Sequence, residues 1–356
     1  MKRRWKVLLG VGGALAALAA APILYIELGC RGTAPEGRAY RPLIRDAEWR
    51  RQEARTWLTY PEWHIVYSAD SFGRFLEKNP PSGYSYLRDI RGFWSGYCAV
   101  NKASAASGGA DAGTRVMLYT IGLSFSAELL VKGLYENTLG RMSELIGGWD
   151  SADDRYATKV QKTYGAFMHE TPWYEFPFTK AFAGLWDTTE PDLKVRHWER
   201  RIALSAEYGV KAGYAGLIGW ASGASLGRDE RTLRFVTSAS PAAVRNVDAR
   251  LKPIGRSKSG TIVEAPRYAQ FTELLTKLSH SNAKLTEISG NDDVFVTALV
   301  RTKAQRLAGG SELMAMPLAD RPDWQRVGLS TKVPNLLPLL RAIRSSGGTV
   351  EHVYDY

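Results

Sequence analysis

The chain has 356 residues, 45% of them apolar and 23% charged, the balance of a globular protein with a sizeable core rather than a disordered one. Its formal net charge is +11. No run of five or six basic residues occurs, which argues against a nucleic-acid-binding arm, and no nucleic-acid partner is expected. Two cysteines, Cys30 and Cys98, are too few for a disulfide scaffold or a Cys-rich zinc site, and whether they pair stays open.

Val7 to Ile26 carries no charge, and a helix over it covers roughly 30 Å, the hydrocarbon thickness of a bilayer. The basic cluster Lys2, Arg3, Arg4 and Lys6 precedes it and Glu27 follows, so the positive-inside rule predicts a membrane anchor over residues 1–30 with its N-terminus in the cytoplasm. The competing reading is a cleaved signal peptide, for which Ala17-Leu18-Ala19 offers small residues. Under the anchor reading the partner is membrane lipid, and the bulk of the chain lies on the extracytoplasmic side of the cytoplasmic membrane. Residues 31–46 are rich in Gly, Pro and Arg and read as a linker.

Residues 47–228 have helical texture and are expected to form an α-helical domain. Thr59-Tyr60-Pro61-Glu62 has the form of a capping box with Pro just inside the helix, and Ser151 opens another helix with Asp153 and Asp154 in its first turn. A short repeat lies within this half. Ser126-Ala127-Glu128 through Lys132 and Tyr135 matches Ser205-Ala206-Glu207 through Lys211 and Tyr214. Each copy sets Glu four residues before Lys, the spacing of a solvated surface pair on one helix. Because the flanking residues are apolar, the sharper expectation is that the two helices bring Glu128, Lys132, Glu207 and Lys211 together in a polar pocket. His64, amid Trp57, Tyr60, Trp63 and Tyr67, is the candidate fifth member.

Residues 229–356 read as an α+β domain: strands around 261–264, 285–288, 294–300, 311–317, 326–333 and 349–354, with helices over 268–281 and 334–345. The pattern predicts an antiparallel sheet of ferredoxin-like type. Residues 327–356, with Pro334, the helix after it and the closing strand, resemble one half of an ACT-type small-molecule-binding domain; Asn335 stands where that family has Gly. The resemblance implies fold, and no binding residue is carried across on it.

No dinucleotide fingerprint, P-loop or H-E-x-x-H occurs, the five histidines show no metal-ligand spacing, and neither a cofactor nor a metal is expected. The expected function is a membrane-anchored envelope protein that binds a small-molecule ligand or a protein partner. Two alternatives remain: a membrane-associated enzyme acting on an apolar or lipid substrate through a buried Glu/His/Lys cluster, and a two-pass sensor with a cytoplasmic C-terminal domain.

Overall fold

The computed structural model describes residues 2–33, 40–51, 53–189, 195–222, 232–303, 307–318 and 320–354, so the centre of the linker and the expected domain boundary at 228/229 lie outside the described residues. The first two-thirds of the chain is mostly helical and the last third holds two small antiparallel sheets. Helix α1 (Lys2–Gly29) leaves Leu18, Leu24 and Leu28 exposed and meets the body near its end, where Ile26 and Cys30 are buried. Cys30 forms a disulfide with Cys98 of α4 (Tyr86–Ser104), and Glu27 accepts from the Tyr119 hydroxyl at 2.6 Å. Among the described residues, the helix long and apolar enough to cross a membrane by length and composition is Ala112–Gly147, with one third of its apolar 18-residue stretch buried.

The remaining helices are α2 (Glu53–Leu58), α3 (Tyr60–Leu76), α5 (Ala112–Tyr135), a π turn (Glu136–Gly140), α6 (Arg141–Gly147), α7 (Ala152–Met168), α8 (Phe178–Trp186) and α9 (Val195–Ser222). They form two copies of one three-helix unit, α3–α4–α5 and α7–α8–α9. Residues 59–94 align with 151–186 without a gap, matching Phe72 to Tyr164, Gly73 to Gly165, Pro80 to Pro172, Gly92 to Gly184 and Trp94 to Trp186. The short repeat extends the match over 116–135 and 195–214. Contacts obey the same pairing. A Cβ on Gly73 would sit 3.4 Å from Lys162 Cα, and one on Gly165 3.5 Å from Asp70 Cα, so the bare glycines let α3 and α7 cross in near backbone contact. Across that crossing Asp70 holds His169 at 2.7 Å, and Lys162 holds Glu77 in the matching position. Trp94 donates to Ser126 at 2.9 Å as Trp186 donates to Ser205 at 3.1 Å. The units are related by a local twofold axis through the α3–α7 crossing.

The two helix starts differ. Ser151 makes the full reciprocal cap with Asp154. The expected box at Thr59 does not form, because Thr59 has helical angles (φ −79°, ψ −14°) and its hydroxyl donates back to Thr56. Helix α2 runs almost directly into α3, so no extended residue is left to cap.

The first sheet comprises β1 (Thr232–Thr237), β2 (Lys252–Ser257), β3 (Gly260–Pro266) and β4 (Leu285–Ile288), in the order β2-β3-β1-β4, with α10 (Pro241–Val247) between β1 and β2 and α11 (Tyr268–Leu278) between β3 and β4. The second comprises β5 (Asp293–Arg301), β6 (Ser311–Pro317), β7 (Trp324–Lys332) and β8 (Thr349–Val353), in the order β6-β7-β5-β8, with α12 (Val333–Ser345) before β8. The single sheet expected from sequence is thus two. Both pack around one core that includes Phe271, Leu275, Val296, Leu336 and Leu340.

That α+β part also completes the helical half. Phe295, Met314 and Tyr354 belong to the helical core, Tyr67 bonds Thr297 and Tyr354, and Trp63 stacks on His352 at 3.7 Å. The end of the linker is gripped as well: buried Glu287 of β4 accepts from the backbone of Leu43 and Ile44 and from the Tyr40 hydroxyl.

Two predictions follow from this packing. The disulfide closes a span of 68 residues, so Cys98→Ser is expected to cost about 2–4 kcal/mol, read as a melting temperature below that of wild type when both are heated without reductant. Reductant should then affect wild type alone; an unchanged wild-type melt would remove the bond's role. Gly165→Val thrusts a branched side chain into Asp70 and should destabilise by about 1–3 kcal/mol by chemical denaturation, whereas Gly209→Val, at a position with no atom within 4 Å, should not cost overpacking.

Candidate functional site

The glutamates and lysines of the short repeat sit at the axis. Helices α5 and α9 run antiparallel, and this pairs each copy's lysine with the other copy's glutamate. Lys132 Nζ lies 3.0 Å from Glu207 Oε1 and 3.1 Å from Oε2, and Lys211 Nζ lies 2.9 Å from Glu128 Oε1. Of the two intrahelical pairs suggested by spacing, Glu207–Lys211 forms as well, at 3.0 Å. Each ammonium also rests over an aromatic ring of its own unit: Lys132 over Phe72 at 4.6 Å, Lys211 over Tyr164 at 5.3 Å. Burial opposes ionisation of Glu207, but Lys132 and Lys211 outweigh it and hold the carboxyl well below the usual carboxylate range. Burial likewise opposes the Lys211 charge, and Glu128 and Glu207 hold it well above its ordinary value. The network is closed: each lysine is matched.

These four side chains line a cleft of about 1050 Å³ between α5, α9, the start of α3 and the segment after α7. Its walls are mostly apolar and aromatic, with Ile65, Phe125, Tyr164, Trp173 and Ile218 among them. Val131, Val210 and Tyr214 line it and are also exposed, so its mouth continues into an apolar outer face that includes Leu130, Leu134 and Leu217. Tyr268, in a left-handed conformation at φ 61°, contributes to the wall from the first residue of α11.

The two ends of the cleft break the twofold symmetry. On the α7 side, Arg200 lines the cleft and binds Glu136 at 2.8 and 3.1 Å; behind the lining Arg196 binds Asp154 through two bonds, 2.6 and 3.0 Å, and Glu199 is shared between the arginines. Arg196 is fully buried. On the α3 side, Glu62 is the counterpart of Asp154, but Met117 and Ile121 stand where Arg196 and Arg200 would be. Glu62 lines the cleft and has no hydrogen bond or ion pair among the described residues. Its surface is open to the cleft, yet protein on the surrounding sides strips away bulk water, and this desolvation pushes its carboxyl up to about 7. Glu170, another lining carboxylate, is likewise without an ion pair among the described residues.

His64 does not join the cleft. It is 5% exposed, its Nε2 donates to the Asp89 carbonyl at 3.0 Å, and Phe125, edge-on to it at 6.0 Å, lines the cleft in its place. Burial, with the nearby Arg326 charge, lowers its pKa to about 3, so the imidazole is neutral. Of the aromatic neighbours expected around it, Tyr60 is in ring contact at 6.1 Å, with Phe93 and Phe125 completing the nest. A smaller cavity of about 310 Å³ lies beside Gly147–Ser151, Arg196 and His197, where His197 Nδ1 is 2.5 Å from Asp153. Among the described residues no three His, Cys, Asp or Glu side chains converge as metal ligands. The motif Gly223-Ala224-Ser225-Leu226-Gly227 fits G-x-S-x-G, but it follows a helix rather than a strand and lies outside the described residues.

Sequence reasoning missed Arg196, Arg200 and the isolation of Glu62. The signals that could have found them are the gapless match of 59–94 with 151–186, which sets Glu62 against Asp154, and that of 116–135 with 195–214, which sets Met117 and Ile121 against Arg196 and Arg200. Set against known proteins, the chain matches no family model, no curated protein and no solved structure.

The closed network predicts non-additive energetics. Glu207 and its two lysines keep 15–22% side-chain exposure, so Glu207→Gln should cost somewhat less than a fully buried pair, about 2–3 kcal/mol. Glu128, half exposed, should cost well under that. The double variant Glu207→Gln/Lys132→Met should recover part of the loss in denaturant melts; strict additivity would separate the two residues energetically. Because the Glu207 pKa is depressed on folding, its contribution is present at neutral pH and should fade as pH falls below the ordinary carboxylate range.

Proposed function

We propose that this chain is a membrane-anchored protein of the extracytoplasmic side that binds an amphiphile in the cleft between α5 and α9. The observation that carries this reading is the cleft itself: about 1050 Å³ of mostly apolar wall, whose mouth runs into an exposed apolar face. Clefts of this size and lining suit ligands with a long apolar portion. An outer apolar face of this extent favours contact with lipid, from which an amphiphile could enter sideways. The lysines of the polar network already have carboxylate partners, which favours binding over catalysis by that network.

The uncharged run of α1 after its basic start supports a single anchor with the N-terminus in the cytoplasm. A disulfide between Cys30 and Cys98 agrees with an oxidising compartment for the residues beyond it. Phe295, Met314 and Tyr354 share the helical core, which favours one body on one side of the membrane over a two-pass sensor. For the last third, the alternation β1-α10-β2-β3-α11-β4 and the order β2-β3-β1-β4 support reading the first sheet as a ferredoxin-like unit, and the second repeats that order, with no helix among the described residues between its first two strands. On this reading both are scaffolds that brace the helical half.

Native mass spectrometry of the full chain, released from nanodiscs, tests the function. Wild type should carry a lipid-sized adduct. Val131→Trp and Val210→Trp, at exposed cleft-wall positions that the fold tolerates, should each reduce its occupancy at least fivefold. Absence of any adduct, or occupancy indifferent to both substitutions, would sink the reading.

A further inference from the structure

The local symmetry provides an internal control for the chemistry of the cleft. In one unit, the third helical position of α7 is Asp154, and a guanidinium from α9 sits on it through two bonds, 2.6 and 3.0 Å. In the other unit the same position of α3 is Glu62, and the residue of α5 that matches Arg196 is Met117. Ile121 likewise replaces Arg200. Two cations present at one end of the helical pair are therefore missing at the other. Glu62 and Ile121 both line the cleft there, and Met117 lies exposed outside the lining, as Arg196 lies behind it in the other unit.

The charges lining the cleft point the same way. Lys132 is matched by Glu207, Lys211 by Glu128 and Glu207, Arg200 by Glu136 and Glu199, and His169 by Asp70. Arg267 is itself engaged and stacks over Tyr268 at 5.0 Å, outside the lining. The carboxylates left over are Glu62 and Glu170. Desolvation alone raises the Glu62 carboxyl, so a cation that supplies the missing partner draws it into its ionised form, whereas an anion does not; the surplus of carboxyl groups in this aromatic-walled cleft therefore favours a cation. Trp63, one face of which is covered by His352, and the Trp173–Tyr214 pair, 5.4 Å apart, make the lining aromatic, the kind of surface beside which ammonium and guanidinium groups rest.

We infer that the amphiphile bears a positively charged nitrogen head, which sits on Glu62 in the place that Arg196 takes on Asp154, while its apolar chain fills the cleft. This rests on the amphiphile-binding reading and narrows it to cationic ligands. Glu170 adds attraction at the same cleft, and the matched lysines supply no free positive charge for a carboxylate or phosphate head.

The test uses tryptophan quenching in the full-length protein, held in zwitterionic nanodiscs, by brominated twelve-carbon amphiphiles of three kinds: an ammonium, a neutral glycerol ester and a carboxylate. Wild type should bind the ammonium compound at least tenfold more tightly than the glycerol ester, and the carboxylate more weakly than either. Glu62→Gln should lower ammonium affinity about tenfold and leave the neutral compound unchanged. Met117→Arg restores the missing guanidinium from within the chain, and it should displace the ammonium compound while sparing the neutral one. Melting curves that match wild type confirm that both variants fold. Equal affinity for all three heads, preference for the carboxylate, or indifference to both substitutions overturns the cation inference and leaves amphiphile binding standing. Failure of all three compounds to quench overturns both.

Discussion

Two glycines set the geometry of this protein. Gly73 and Gly165 let α3 and α7 approach to near backbone contact, a distance at which a Cβ on either would press on the other helix. Once that crossing is made, the flanking charges meet in matched positions, Asp70 with His169 and Lys162 with Glu77. The same axis carries α5 against α9 in antiparallel register. The reciprocal Lys132–Glu207 and Lys211–Glu128 pairs follow from it, since a twofold relation between two copies of Glu-x-x-x-Lys brings each lysine to the other copy's glutamate.

Symmetry explains the scaffold, and its breaking explains the cleft. At the α7 end Arg200 lines the cleft, bound to Glu136 and Glu199, and Arg196 lies behind it on Asp154. A side chain as large and polar as Arg196 is buried without penalty only when its donors are satisfied, and here Ser143 and the Gly140 carbonyl take the remaining ones. The π turn at Glu136–Gly140 contributes that carbonyl and Glu136 to the arginines. With Met117 and Ile121 in the matching places, the α3 end keeps a carboxylate and loses its cations. What remains is space lined by apolar groups and an acid.

The α+β third closes the helical core from the other side. Tyr67 reaches across to Thr297 and Tyr354, Arg326 lies over the Tyr67 ring at 4.1 Å while bound to Glu351, and Arg74 holds Asp320 at 2.6 Å. These contacts fix α3, and with it Glu62 and the start of the cleft, against a rigid pair of sheets. They also account for His64: its ring is enclosed on a packed face of α3, fitted against Gly92, where a Cβ would come within 2.7 Å of it. Gly184 makes the matching room for Tyr156.

By itself the sequence determined that the stretch from 47 to 228 is helical in texture, where most strands after residue 260 lie, and that Glu128, Lys132, Glu207 and Lys211 lie on apolar helices of related sequence. Those are local properties, written in the period of apolar residues and in short repeats. Most strands after residue 260 were legible for the same reason, while β1, β2 and α10 were not, because Lys252–Ser257 is polar and largely exposed and the helix is a two-turn piece. Tertiary structure alone decided the partners. Helical spacing places Glu128 and Lys132 on one face but says nothing about what that face meets, so Lys132 pairs across the axis with Glu207. Spacing also could not tell that Thr59 would be helical rather than a cap, that His64 would be sealed behind Phe125, or that Cys30 would reach Cys98. The isolation of Glu62 was the furthest from view: it is the lack of a partner on another helix, and such a lack becomes visible only where the same fold supplies that partner to Asp154.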